Sequence, residues 1–265
     1  MADDSEAPFE VFNPDGCGPA VIVCEHASNH IPARYHGLGL DDAARQSHAA
    51  WDPGAEAVAR RLSRALDAPM IAARVSRLVY NCNRPHDAPS AIPPRSESIE
   101  VPGNQGLDAG ARAARAERVY APFTQAVDSL LERRNAAGGA FALVTVHSFT
   151  PTWFGQPRDV EIGILHDDDS RLADAMLAHA GEFPARRIER NAPYGPADGV
   201  THTLRLHGVA KGLANVMIEI RNDLIATAAG QDQLAQELLA LLAPALADVQ
   251  GAIPFSIPVA RGHHA

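Results

Sequence analysis

The chain has 265 residues, of which 46% are apolar, and its formal net charge is −9. This size and apolar content suffice for one large α/β domain, whereas the negative charge and the lack of a basic tract argue against nucleic acid or an anionic membrane as partner. Three cysteines are too few for a disulfide framework, and they lack the spacing of a zinc finger. The first residues are acidic where a signal peptide would be basic, and no stretch approaches the ~20 apolar residues of a membrane span. We therefore expect a soluble, cytoplasmic protein.

The sequence predicts a single domain over residues 19–250, between loosely ordered termini at 1–18 and 251–265. Its first strand is predicted at residues 21–24, where Val-Ile-Val-Cys forms a continuous apolar run typical of a buried parallel strand. Open α/β sheets bind their ligands just beyond the carboxyl ends of such strands. The polar residues that follow this strand are therefore candidates for a functional site.

A helix and two short strands are predicted next. Asp52 is a good N-cap and Pro53 suits the first helical position, so a helix is expected from there to about Leu66. Short strands are then expected at residues 70–73 and 78–80. Together these elements form a strand, helix, strand unit.

The rest of the chain is predicted to alternate helices and strands after a long irregular loop at residues 85–110. A loop of that length in a compact domain is either mobile or a lid over a site. The predicted helices cover residues 109–135, 170–180 and 232–249, and the predicted strands cover residues 141–146, 160–166 and 215–218. This alternation predicts an α/β fold, a three-layer α/β/α sandwich around a mixed, largely parallel sheet.

Three of the predicted strands lead into side chains that bind metals or move protons. His26, His147 and Glu219 each lie at or just beyond a predicted strand end. A hydrolytic zinc centre needs about three His, Asp or Glu ligands and an open position for water. We therefore predict one divalent metal, Zn²⁺, held by His26 and His147 with Asp52 as the third ligand.

The identity of that third ligand has alternatives. An aspartate at a helix start is as often a helix cap as a ligand, and in that case Glu25 or His30 remains. His30 would reach the metal only if its loop coils back. Glu25 directly precedes His26, so its side chain is expected to point the other way, where it would orient a histidine instead.

A second polar group surrounds the predicted strand at 78–80. Arg77 precedes it, and the pair Asn83-Arg84 follows it. An arginine held at a strand end next to an amide is suited to binding a substrate carboxylate through two hydrogen bonds, although such arginines more commonly form surface ion pairs.

These residues resemble the N-formylglutamate amidohydrolase (formylglutamate deformylase) family, itself similar to the zinc carboxypeptidases and succinylglutamate desuccinylases. The resemblance runs from about residue 19 to 245. It rests on motifs that are specific together and not singly: His-Ala-Ser-Asn-His-Ile-Pro at 26–32, Arg77 with Asn-Arg-Pro at 83–85, His-Ser at 147–148, and Glu-Ile-Arg-Asn-Asp-Leu at 219–224.

The resemblance implies a zinc-carboxypeptidase-like fold and a role for each matching residue. His26 and His147 match two zinc ligands of the relatives. Asn83 and Arg84 match the pair that holds the substrate carboxylate, and Glu219 matches the glutamate that acts as general base and acid.

Two parts of the motifs depart from the family pattern. Asn29 stands where the carboxypeptidase-like relatives have a zinc-binding glutamate, and asparagine binds zinc poorly, so either Asp52 takes that role or the metal is held more weakly. Asn81 and Cys82 stand where formylglutamate deformylases usually have aspartate and leucine. The second departure leaves the substrate open.

The resemblance implies a metal-dependent amidohydrolase acting on a small N-acyl amino acid, with N-formyl-L-glutamate as the leading substrate, in amino-acid catabolism such as histidine degradation. Arg84 with Asn83, and Arg77 or Arg221, would fix the substrate carboxylates. Two alternatives stay open. One is a deacylase or amidase acting on another N-substituted amino acid, and the other is a metal-poor binding protein on the same scaffold, which Asn29 suggests.

Overall fold

The computed structural model describes residues 7–251, and its centre is one mixed β-sheet. The strands are β1 (Phe9–Phe12), β2 (Ala20–Cys24), β3 (Met70–Ala73), β4 (Arg95–Ser96), β5 (Ile99–Glu100), β6 (Ala142–Phe149), β7 (Thr152–Trp153), β8 (Gln156–Pro157), β9 (Ile162–Leu165), β10 (Ile188–Arg190) and β11 (Asn215–Arg221). Seven of them form the sheet in the order β1-β3-β2-β6-β11-β9-β10, while β4 pairs with β5 and β7 pairs with β8 in two small hairpins.

The middle of the sheet is parallel. Strands β3, β2, β6 and β11 run in one direction, whereas β1 is antiparallel to β3 and β9 is antiparallel to β11. Every residue of β2 and β6 is buried. Parallel strands covered on both faces are apolar throughout, which explains why residues 21–24 form a continuous apolar run and not an alternating one.

Helices cover both faces of the sheet. They are α1 (Asp42–Gln46), α2 (Ala55–Ala65), α3 (Ala109–Arg115), α4 (Ala121–Ala136), α5 (Arg171–Ala178) and α6 (Ala228–Gly251), with a π-helical segment (Ala116–Tyr120) joining α3 to α4. Ile22 of β2 packs in one core with α2, α5 and α6, whereas its neighbour Val21 packs in a second core with α4. These three layers confirm the predicted α/β/α sandwich.

Short turns of helix fill the remaining connections. They are the 3-10 segments Ala33–Gly39, Pro89–Ala91, Pro102–Asn104, Ala180–Glu182, Pro196–Asp198, Val209–Lys211 and Asn222–Ile225, and the π-helical turn Leu204–Gly208. Residues 85–110 are mostly irregular, as predicted, but they also contain the β4–β5 hairpin. Within the described residues, no helix is long and apolar enough to cross a membrane.

Three predictions about secondary structure are wrong. Residues 78–80 contain no strand, since a turn covers residues 77–79. Strand β1 lies within the stretch expected to be a loose lead-in, and pairing with β3 orders it. The helix expected from Asp52 begins at Ala55, because Gly54 takes a left-handed conformation (φ 81°) as its N-cap, with no side-chain cap hydrogen bond. Residues 1–6 and 252–265 of the predicted termini lie outside the described residues.

Candidate metal centre and substrate cavity

The carboxyl ends of the adjacent parallel strands β2, β6 and β11 carry three of the predicted residues. His26 lies two residues beyond the end of β2, and His147 and Glu219 are register partners within β6 and β11. Asp52, in the turn before α2, is held beside His26 because its backbone N–H donates to the His26 carbonyl at 2.9 Å. Strand register and one backbone hydrogen bond thus bring residues from four parts of the sequence together.

His26, Asp52 and His147 form a compact buried group that could hold a metal ion. Nδ1 of His147 lies 2.9 Å from Oδ2 of Asp52, Nδ1 of His26 lies 3.2 Å from the same oxygen, and the two Nδ1 atoms are 3.2 Å apart. Ligand atoms around a tetrahedral zinc ion, with bonds of about 2.0–2.1 Å, are roughly 3.3 Å from one another. The three atoms therefore match the spacing of one small divalent cation.

The second ring nitrogen of each histidine contacts a side-chain oxygen outside this group. Nε2 of His26 donates to Oδ1 of Asn81 at 2.8 Å, and Nε2 of His147 lies 3.1 Å from Oε2 of the buried Glu25. Contacts of this kind keep a proton on Nε2 and leave Nδ1 for a metal. The donors present fit a zinc ion, and Glu25 lies where it would orient His147.

The charges of this group depend on one another. Burial opposes ionisation of Asp52, yet the Arg77 guanidinium and the two histidines hold the pKa of Asp52 well below its usual range. Burial also disfavours a charged His147, but Glu25 and Asp52 raise the pKa of His147 well above its usual value. Burial would raise the pKa of Glu25, but its contact with His147 outweighs that effect, and the pKa falls to about 2. The positively charged ring of His147 lies between the carboxylates of Glu25 and Asp52. The same surroundings would suit a divalent cation, which would displace the proton on Nδ1.

Glu219 lies beside the metal-binding group without belonging to it. The residue is only 6% exposed, and its Oε2 has no hydrogen-bond partner among the described residues. Burial raises the pKa of Glu219 to about 8, although the neighbouring His147 opposes that rise. A carboxyl group with such a pKa can accept and return a proton near neutral pH, as a general base and acid must.

A cavity of about 850 Å³ adjoins these residues. Its lining includes His26, Asp52, His147 and Glu219, together with residues of both small hairpins. At the turn of the β7–β8 hairpin, the side chain of Phe154 is 70% exposed. The volume is within the range of about 300–1,000 Å³ that is usual for small-molecule sites.

The predicted pair Asn83-Arg84 lines this cavity. The side-chain amide of Asn83 is used inside the protein, since it donates to the Val200 carbonyl at 2.6 Å and accepts from the Thr203 N–H at 3.0 Å. The guanidinium of Arg84 donates to the Asn83 carbonyl at 2.9 Å and forms no ion pair within residues 7–251. Arg84 is therefore available to a ligand, whereas Asn83 holds the cavity wall together.

The two other predicted arginines are bound to the protein itself. Arg77 lines the cavity, but it donates to two backbone carbonyls and its Nη1 lies 3.0 Å from Oδ1 of Asp52. Arg221 is not part of the cavity lining, and it pairs with Asp223 at 2.8 Å. Arg77 thus positions Asp52, and the structure does not bring Arg221 to the site.

The remaining alternatives for the third ligand lie elsewhere. Asn29 and His30 line a different cavity, and the Asn29 amide donates to the Arg45 carbonyl and to Gln46. Glu25 contacts His147 at Nε2, on the side of the ring away from the metal-binding group. Asp52 is therefore the carboxylate that the structure brings to the histidine pair.

Sequence reasoning missed Arg158, which also lines the cavity. It directly follows the β7–β8 hairpin, an element too short to leave a periodic pattern. The only available signal was the aromatic pair Trp153 and Phe154 at a turn, which is typical of many exposed hairpins.

The fold and the site together define an α/β hydrolytic enzyme with a candidate metal centre at the carboxyl edge of its parallel strands. A sequence model of the N-formylglutamate amidohydrolase family matches residues 18–226, and the chain belongs to this family. It is therefore an amidohydrolase, and the resemblance drawn from the motifs is confirmed.

Two solved structures have a similar fold. A gene product of Agrobacterium tumefaciens is 52% identical, with a TM-score of 0.90 over 92% of this chain and 96% of that one. An N-formylglutamate amidohydrolase from Ralstonia eutropha is 19% identical, with a TM-score of 0.63 over 94% of this chain and 100% of that one, and it shares the fold. No curated protein matches the chain significantly.

Proposed function

We propose that this protein is a zinc-dependent amidohydrolase that cleaves N-formyl-L-glutamate to formate and L-glutamate. The observation that carries this proposal is the convergence of two Nδ1 atoms and one carboxylate oxygen beside a buried glutamate whose pKa is raised to about 8. The family to which the chain belongs supports the substrate. The cavity, with an arginine that has no acidic partner within residues 7–251, supports an anionic ligand.

In this proposal His26, Asp52 and His147 would hold the metal. When bound, a zinc ion polarises the formyl carbonyl and lowers the pKa of water toward roughly 7. Arg77 keeps the Asp52 carboxylate ionised and in place through its 3.0 Å contact. Glu25 and Asn81 fix the two imidazole rings through their Nε2 atoms.

Glu219 is the group that we propose to move the proton. It takes a proton from water as the new carbon–oxygen bond forms at the formyl carbon, and it delivers that proton to the nitrogen as the carbon–nitrogen bond breaks. Its burial suits a proton-transfer role, because burial raises the pKa of Glu219 and makes its carboxylate a stronger base than a solvated one. The products are formate and the free amino acid.

Arg84 is our candidate for the substrate α-carboxylate. Its guanidinium lines the cavity, and burial lowers the pKa of Arg84, so the charge is partly desolvated. An arginine in this state binds a carboxylate through paired hydrogen bonds more strongly than an arginine in water would. The energy of that contact then positions the formyl group for attack.

The test is direct hydrolysis by purified protein whose metal content has been measured. We expect about one zinc per chain, release of formate from N-formyl-L-glutamate, and loss of activity on chelation that added zinc restores. Faster cleavage of N-acetyl-L-glutamate would assign the enzyme to another N-acyl amino acid. Protein that lacks metal and hydrolyses none of these compounds, even with zinc added, would contradict the proposal and favour a binding protein. The expected cytoplasmic location and a role in histidine degradation stay predictions.

A further inference from the structure

Arg158 also lines the cavity, and its surroundings are unusual. Arg158 directly follows the β7–β8 hairpin and lies among three aromatic rings. Its guanidinium carbon is 4.8 Å from the ring centroids of Trp153 and Tyr194 and 5.6 Å from that of Phe149. Rings at these distances stabilise a guanidinium ion and restrict its orientation.

Hydrogen bonds hold the same guanidinium in place. Nη1 of Arg158 donates to the Tyr194 hydroxyl at 2.9 Å and to the Thr150 carbonyl at 3.4 Å. Tyr194 itself lines the cavity, so the arginine is attached to its wall from two sides. The positive charge of Arg158 also helps to lower the pKa of Glu219, against the larger effect of burial, which places the arginine within electrostatic reach of the reacting groups.

Arg158 has no acidic partner among the residues that the structure describes, although its neighbours do. Arg187 pairs with carboxylates at 2.6 and 2.9 Å, and Arg221 pairs with one at 2.8 Å. In contrast, Arg84 and Arg158 both line the cavity and form no ion pair within residues 7–251. Glu97, Asp198 and Glu219 also line the cavity, but none of them forms an ion pair with Arg84 or Arg158 within residues 7–251, so an anionic ligand would meet two guanidinium groups that no ion pair occupies.

We propose that Arg158 binds the side-chain carboxylate of the substrate and thereby restricts the enzyme to N-acyl derivatives of dicarboxylic amino acids. Arg84 would bind the α-carboxylate, so that each unpaired cation receives one negative charge of the substrate. This assignment rests on the proposed function. It adds a residue that recognises the substrate side chain, and it explains why Arg158 is fixed among aromatic rings with no ion-pair partner in the described part of the chain.

The test compares N-formyl-L-glutamate with N-formyl-L-glutamine, which has the same shape but an uncharged side chain. We expect wild-type protein to prefer the glutamate derivative by about 30-fold or more in kcat/KM, the usual range for losing one partner of a desolvated charge pair. Arg158→Met keeps the apolar stem against the rings and removes the charge. It should lose most of this preference through a higher KM for N-formyl-L-glutamate, with kinetics on N-formyl-L-glutamine nearly unchanged.

Two further variants make the comparison decisive. Arg158→Lys retains the charge and should restore part of the preference. Arg187→Met removes an arginine outside the cavity and should leave the ratio of the two substrates as in wild type. If Arg158→Met loses kcat/KM equally on both substrates, Arg158 has a structural role. If the wild type does not prefer N-formyl-L-glutamate over N-formyl-L-glutamine, the enzyme does not recognise the substrate side chain. Either result overturns the proposal.

If the protein turns over no N-formyl amino acid, the proposed function is contradicted. A ligand-binding experiment then tests the assignment of Arg158 separately. Calorimetric titration with glutarate, a five-carbon dicarboxylate, should show binding to wild type and at least 10-fold weaker binding to Arg158→Met. Equal affinity for the two proteins, or no binding to wild type, overturns the assignment of Arg158.

Discussion

The substitution Asp52→Asn tests whether this residue is a metal ligand, because it preserves the side-chain shape and removes the charge. Asp52 is 1% exposed, and its carboxylate contacts both histidines and Arg77. Without metal, removal of one partner from a buried ion pair costs about 3–5 kcal/mol. We expect the lower end of that range, since Arg77 keeps its hydrogen bonds to two backbone carbonyls.

The metal-dependent part of the effect separates a ligand from a purely structural aspartate. Free zinc at 1,000 times its dissociation constant stabilises a folded protein by about 4 kcal/mol. In a domain of this size 1 kcal/mol shifts the melting temperature by about 2–4 °C, so wild type should gain roughly 8–16 °C. Thermal unfolding in chelator and in buffered zinc measures this gain, and Asp52→Asn should lose most of it.

A matched control is Asp41→Asn, which changes the N-cap of α1, where the Asp41 carboxylate accepts from the Ala44 N–H at 2.8 Å. Asparagine caps a helix about as well as aspartate, so both the stability and the zinc-dependent gain should be nearly unchanged. If Asp52→Asn shows the full zinc-dependent gain of wild type, Asp52 is not a ligand and the centre has been assigned wrongly.

Three further substitutions separate metal binding, chemistry and substrate binding. Glu219→Gln removes the proton acceptor and should lower kcat roughly 100-fold or more while zinc content stays as in wild type; loss of zinc from this variant would instead make Glu219 a ligand. Glu25→Gln weakens the orientation of His147 and should reduce zinc affinity by about 10–100-fold in a competition titration, and unchanged affinity would show that the 3.1 Å contact has no such role. Arg84→Ala should cost roughly 2–5 kcal/mol of transition-state binding on N-formyl-L-glutamate, as measured by kcat/KM. An N-formyl amino acid amide, which lacks the α-carboxylate, should be cleaved equally slowly by wild type and Arg84→Ala, and a clear advantage of wild type there would give Arg84 another role.

The elements that could be predicted from the sequence are those whose burial determines their composition. Strand β2 is apolar throughout because cores cover both of its faces, and this alone places His26 at the carboxyl edge of a parallel sheet. The same reasoning applies to β6 and β11, which place His147 and Glu219 as register partners. The two proposed ligands and the proposed base follow from local sequence for this reason.

What could not be predicted depends on contacts between distant parts of the chain. Arg158 is brought to the cavity by a hairpin of two-residue strands and is held by Tyr194, 36 positions later. Arg77 looked like a substrate-binding residue, but its partners are Asp52 and two carbonyls of the connection before α2. An arginine motif in a sequence does not reveal which arginines have acidic partners in the fold. Among the described residues, Arg77 and Arg221 have such partners, whereas Arg84 and Arg158 have none.

The local backbone geometry explains why Asp52, and not Asn29, lies beside the histidine pair. The His26 carbonyl accepts the backbone N–H of Asp52, which fixes the aspartate side chain beside the imidazole, while Asn29 faces a separate cavity and bonds to Arg45 and Gln46. A carboxylate at position 29 would not reach the histidine pair without rearranging that loop, whereas Asp52 reaches both Nδ1 atoms at 2.9 and 3.2 Å. The left-handed Gly54 matters here, because an added Cβ would lie 2.6 Å from the Ile225 carbonyl oxygen. Delaying the helix until Ala55 leaves the Asp52 side chain free of a capping role and directed at the metal-binding group, so the asparagine at position 29 is compatible with a complete three-ligand centre.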